Sequence, residues 1–190
     1  LTIFLYVILL NNLKGQPTLN ANDYNPNAGE SYTIELTDYF SPGSSGANQT
    51  WDFSSITSNG PKTTNYVSPS STPYAQSFSN ANIASFVVNE NSYGYFETTQ
   101  TKLINWGGVS PSGIIMYYTD PEEFLHYPFT YNNTYTDTWA TNYTNISTQY
   151  FRKGTTTVTA DGYGTLKTPE GVFNNALRLH VVQTYTDSIN

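Results

Sequence analysis

The chain has 190 residues and a net charge of −7; 11% of its residues are charged, 16% are aromatic and none is cysteine. Seven scattered basic residues against 14 acidic ones exclude the counterion-releasing patch that nucleic acid requires. The absence of cysteine excludes thiol chemistry, cysteine-based zinc sites and disulfides.

Leu1 to Leu10 is an uncharged apolar run that ends at Asn11-Asn12-Leu13-Lys14-Gly15. It is shorter than the roughly 20 apolar residues of a membrane-spanning helix, so no transmembrane anchor is expected. It reads as the core and exit of a secretory signal lacking its basic start. Residues 1–15 are therefore expected to be signal peptide, and 16–190 one β-rich extracellular domain. A cysteine-free, acidic, hydroxyl-rich exported chain reads as a bacterial product, located outside the cell or on its outer surface.

Threonine and asparagine each outnumber the 17 tyrosines. Thr, Tyr and Phe suit a pleated, half-buried surface, and the helix fillers Ala, Glu and Lys are scarce. The expected fold is all-β: antiparallel strands in a sandwich or strongly curved sheet, with a half-barrel as the alternative and little helix. Asn20 to Glu30 has the oxygen density of a calcium loop but fails the spacing of an EF-hand, and an Asx-rich turn is the better reading. Ser31 to Thr37 alternates, with Tyr32, Ile34 and Leu36 on one face. Thr50 to Phe53 is a short strand, and Ser68 to Asn82, with Pro69 and Pro73, a long irregular connection. Strands are expected at Ser85–Asn89, Tyr93–Thr98, Lys102–Trp106 and Ile114–Thr119. Asp120 to Leu125 has the Pro and carboxylates of a single helical turn. Strands resume at Thr134–Trp139, Thr148–Arg152 and Thr155–Asp161, with the adjacent Arg152-Lys153 read as a solvated turn. Thr168-Pro169-Glu170-Gly171 is a turn, after which Leu177, Leu179 and Val181 alternate against Arg178 and His180. The pattern is still running at Thr184–Thr186, so the protein is expected to continue past residue 190.

Three patches together resemble a family of uncharacterised exported Bacteroidetes proteins: Gln16-Pro17-Thr18-Leu19 with Asp23-Tyr24-Asn25-Pro26, Ser45 to Ser54 around Trp51-Asp52-Phe53, and Tyr127 to Asn132 with Gly162 to Arg178. The resemblance covers most of residues 16–190. Members usually carry a C-terminal sorting domain for type IX secretion, which is absent here, and the resemblance transfers no catalytic residue. The Gly164-Thr165-Leu166 to Phe173 hairpin also looks like one in periplasmic lipoprotein-carrier-type half-barrels, which implies only the alternative architecture.

Candidate chemistry is sparse. His126 follows Glu122 and Glu123, but no second histidine lies at ligand spacing; His180 alternates outward on a strand. No Gly-x-Ser-x-Gly elbow supports a serine triad, and no spacing selects a carboxylate pair for glycoside hydrolysis. No motif asks for a cofactor or a metal. Asn48, Asn132, Asn142 and Asn145 begin sequons that read as chance, and Asp187-Ser188-Ile189 resembles a Bacteroidetes O-glycosylation signal. The aromatic surplus is more suggestive. Rings beside amides can stack on sugar faces, and the candidates are Trp106, before Gly107-Gly108, with Tyr117, Tyr118 and Trp139; core packing competes with that role at each position.

Three readings follow. The first is a non-enzymatic secreted or cell-surface protein for adhesion or glycan contact. The second is a self-associating subunit of an extracellular filament or envelope assembly, and the third a secreted hydrolase.

Overall fold

The computed structural model describes residues 15–189, so nearly all of the expected signal segment lies outside the described residues. Strand makes up 62% and helix 6%, in a large sheet that does not close into a barrel. The all-β, curved-sheet expectation therefore holds.

The described chain opens with β1 (Thr18–Leu19), the single-turn α1 (Ala21–Tyr24), β2 (Ser31–Leu36), β3 (Gly46–Asp52) and β4 (Gly60–Val67). In the Asx-rich stretch the oxygens serve one another: Asp23 accepts from the Asn20 amide at 2.9 Å, and Glu30 from Asn27 and the Tyr32 hydroxyl. Residues 68–82 form a connection with two short 3-10 turns. Then come β5 (Ile83–Val87), β6 (Ser92–Thr98), β7 (Lys102–Val109), β8 (Ile115–His126), β9 (Phe129–Thr130), β10 (Thr134–Asn145), β11 (Thr148–Thr168) and β12 (Gly171–Ile189). The large sheet runs β12-β11-β10-β8-β7-β6-β5-β4-β2, antiparallel throughout. β10 covers the first half of β11; β3 takes that place along the second half, in parallel.

Two expectations are corrected. Thr148–Arg152 and Thr155–Asp161 belong to one strand, so Arg152-Lys153 sits inside β11 rather than in a turn. Asp120–Leu125 is not helical but the second half of β8. A proline fits there because β8 pairs with β10 only as far as Asp120, leaving one side of Pro121 without a ladder to break. Where that ladder stops, the Asp137 carboxylate of β10 accepts the Glu123 backbone N–H at 2.7 Å. A side chain replaces the missing main-chain partner.

Register shifts in β7–β8, β8–β10 and β11–β12 add local twist, and the sheet curls. Gln183 on β12 reaches across β11 and β10 to donate to Glu122 on β8 at 2.8 Å; that face is called inner here. It is plugged by the N-terminal segment: Ala21 packs with Leu103, Leu125 and Tyr127, and Leu19 bridges to Phe129, Val158 and Ala160. Asn25 fastens the plug by donating to the Thr99 carbonyl and accepting from the Tyr127 hydroxyl. The outer face carries a second core, in which Phe78 from the 68–82 connection stacks on Tyr95 at 4.0 Å, beside Ala84 and Val109. No helix among the described residues is long and apolar enough to cross a membrane.

Candidate functional site

The four aromatic candidates form two stacked pairs rather than one shelf. Tyr117 and Tyr118 are neighbours on β8, and successive strand residues face opposite sides. Tyr117 joins Trp106 on the outer face, with ring centroids 6.1 Å apart and planes 20° from parallel. Both rings are half-buried against the Phe78–Tyr95 core. Gly107 brings β7 close to β8 here: its φ is +110°, and a Cβ on it would lie 1.9 Å from the Met116 carbonyl oxygen. Polar groups edge the pair. Trp106 Nε1 donates to Glu97 Oε2 at 3.2 Å, and the Asn80 amide approaches the Tyr117 hydroxyl at 3.5 Å.

Tyr118 pairs with Trp139 on the inner face, at 5.3 Å and 11°. Trp139 is only 3% exposed and lies over Gly154, where a Cβ would meet its ring at 2.2 Å. Its Nε1–H donates to Thr156 Oγ1 at 3.1 Å, and the Thr156 hydroxyl donates to Glu122 Oε1 at 2.6 Å. Gln183 donates to the same oxygen, and the Asn105 amide to Oε2 at 3.2 Å. Glu122 is thus a buried carboxylate with donors on both oxygens, the condition under which a charge is tolerated inside a protein. Burial, and then the Glu122 charge, push the Tyr118 hydroxyl up to about 12, with Arg152 pulling the other way. Trp139 is therefore packed into the sheet with Tyr118 half-buried beside it, and no sugar face can stack on Trp139 without displacing that packing.

The other carboxylates are committed nearby. Glu123 is ion-paired with Lys102 and lies 2.6 Å from His126 Nε2. Burial raises its carboxyl, but the Lys102 and His126 contacts outweigh this and leave it lowered. Asp137 is raised, first by burial and then by the charges of Glu123, Asp120 and Glu122, against the hydrogen bond from the Glu123 backbone. His126, at the end of β8, stacks on Tyr135 at 3.8 Å. Among the described residues no three His, Asp or Glu side chains gather at metal-binding spacing. His180 is exposed on β12, but the expected contrast between the two faces does not hold there: Val181 is 53% exposed, and Leu177, Arg178 and Leu179 are all half-buried.

The Glu122–Thr156–Gln183 network is invisible in the sequence, because its members sit on three strands and no local spacing connects them. Arg178, expected on the wet face beside His180, is instead largely covered. It ion-pairs with Asp161 at 3.1 Å and donates to the Gly43 carbonyl at 2.6 Å, tying β12 to the loop before β3. No protein-family model, curated protein or solved structure matches the chain.

Proposed function

We propose that the protein is a non-enzymatic secreted or cell-surface protein that contacts glycan through the Trp106–Tyr117 pair. One observation carries the reading: this pair is half-buried rather than sealed, and it is bordered by the Asn80 amide and the Glu97 carboxylate. A sugar has an apolar face that suits an aromatic ring and an edge of hydroxyls that suits amides and carboxylates. The exterior location rests on the apolar Leu1–Leu10 run and the cysteine-free composition.

A glycan array followed by calorimetry on the best hit tests this. Trp106→Ala and Asn80→Ala should each weaken binding at least tenfold, and Tyr185→Ala, at the other end of the sheet, should not. A hit whose affinity ignores Trp106 would remove the assignment.

A second reading, a self-associating structural subunit, draws on β12. This edge strand exposes Val181, Val182, Tyr185 and Ile189, and it contains no Lys or Pro of the kind that guards sheet edges. Light scattering across a concentration series separates the readings, because a constant monomer removes the second.

A further inference from the structure

The opening in the sheet is a cleft of about 610 Å³ between β2 and the turn that joins β11 to β12. Ile34 of β2, Phe40, Phe53 and Leu166 give it an apolar floor, and Glu35 and Glu170 are the charged groups of its lining. Phe40 and Phe53 hold each other at 4.8 Å, while Ile34 is 57% exposed to the cleft and solvent. One wall is a strand edge. Each of the six residues of β2 is paired with β4 on one side, and among the described residues no strand pairs with the other side.

That wall decides what fits. A hydrocarbon tail would satisfy the apolar floor but would leave the outward N–H and C=O groups of β2 facing oil, each without the hydrogen bond that a buried polar group needs. An extended peptide satisfies both features: its main chain pairs with β2, and every second side chain enters the cleft. Charge narrows the choice further. The lining holds two carboxylates and no Lys or Arg, and the chain itself carries a net charge of −7, which disfavours a second acidic copy.

We infer that the β2 edge is an acceptor for an extended peptide that alternates apolar residues and carries Lys or Arg at its ends. The site lies apart from the Trp106–Tyr117 pair and does not depend on the glycan reading.

Fluorescence anisotropy on the full chain tests it with a labelled synthetic nonapeptide that alternates Val and Ile with Thr and has lysines at its ends. Saturable binding is expected, at least tenfold tighter than for the same peptide with terminal glutamates. Glu170→Lys, in an exposed turn where the fold tolerates it, should erase or invert that preference while circular dichroism and the thermal midpoint stay unchanged. Equal binding of both peptides, unaffected by Glu170→Lys, would overturn the proposal. So would saturable uptake of monoolein without peptide binding, or dimerisation that the peptide fails to compete.

Discussion

Trp106 and Trp139 each stack on a tyrosine of β8, at 6.1 and 5.3 Å, yet the two pairs live in different environments. On the inner face the indole N–H of Trp139 ends in a buried chain through Thr156 to Glu122, and the ring is sealed at 3% exposure. On the outer face the indole N–H of Trp106 meets Glu97, and its ring stays half open. The difference arises from strand parity, which sends Tyr117 and Tyr118 to opposite sides, and from which face the curl encloses. The same two residue types thus make a core on one side and an accessible surface on the other.

Truncation should separate the pairs most sharply. Trp139→Ala is expected to cost ~3–5 kcal/mol in urea unfolding, the range for a buried aromatic. Trp106→Ala should cost under ~2 kcal/mol, because part of its ring already meets water. Equal losses would erase the distinction. Next in size is Gly154→Ala, whose new methyl would overlap the Trp139 ring. A destabilisation of ~1–3 kcal/mol is expected, with a change in near-ultraviolet dichroism. Thr156→Val leaves the Trp139 N–H without its acceptor and takes one donor from Glu122, for ~1–3 kcal/mol; Thr156→Ser should recover most of it. The smallest effect is spectroscopic. In a native-state absorbance titration Tyr118 should ionise near 12, alongside Tyr127 and Tyr135, which burial also raises, and Tyr118→Phe should take one tyrosine's share from that late amplitude.

Acid sensitivity offers another contrast, between paired and crowded carboxyls. Hydrogen bonds from Ser54 and then Lys167 hold Asp52 down to about 2. A carboxyl lowered in the folded state gives stability that is present above its ordinary value near 4 and is lost as pH falls through the folded value. Asp137 is raised, so its contribution has the opposite sign: it is present below the ordinary value and is lost as pH rises through the folded one. Asp52→Asn should therefore flatten the decline in stability below pH 4. Asp137→Asn should improve stability at neutral pH relative to pH 3. Urea melts at both pH values measure each difference.

Much of the sheet was legible in the sequence because alternation is a local signal. Tyr32, Ile34 and Leu36 marked β2, and Thr168-Pro169-Glu170-Gly171 marked the turn between β11 and β12. The stretch from Asp120 to Leu125 was misleading for a physical reason. Pro and carboxylates favour a helix start when only neighbours in sequence are considered, and the Asp137 side chain that rescues the strand lies on another element. The aromatic candidates were legible as residue types but not as a site. Their grouping depends on register, and register is settled by pairings such as Thr141 with Tyr118. Local spacing links Glu122 only to its neighbours in sequence, whereas its actual partners come from β7, β11 and β12.

The place of β3 beside β11 has a consequence for the order in which the chain assembles. Pairing of β11 with β12 closes a tight turn, and β10 meets β11 across a similarly short link. The parallel contact of β3, sealed by Lys167 with Asp52, spans 115 positions of sequence, and loop closure grows costlier and slower with such separation. β3 is therefore expected to dock late, onto a hairpin already formed. Its amides should be among the last to gain protection when refolding is followed by pulsed hydrogen exchange.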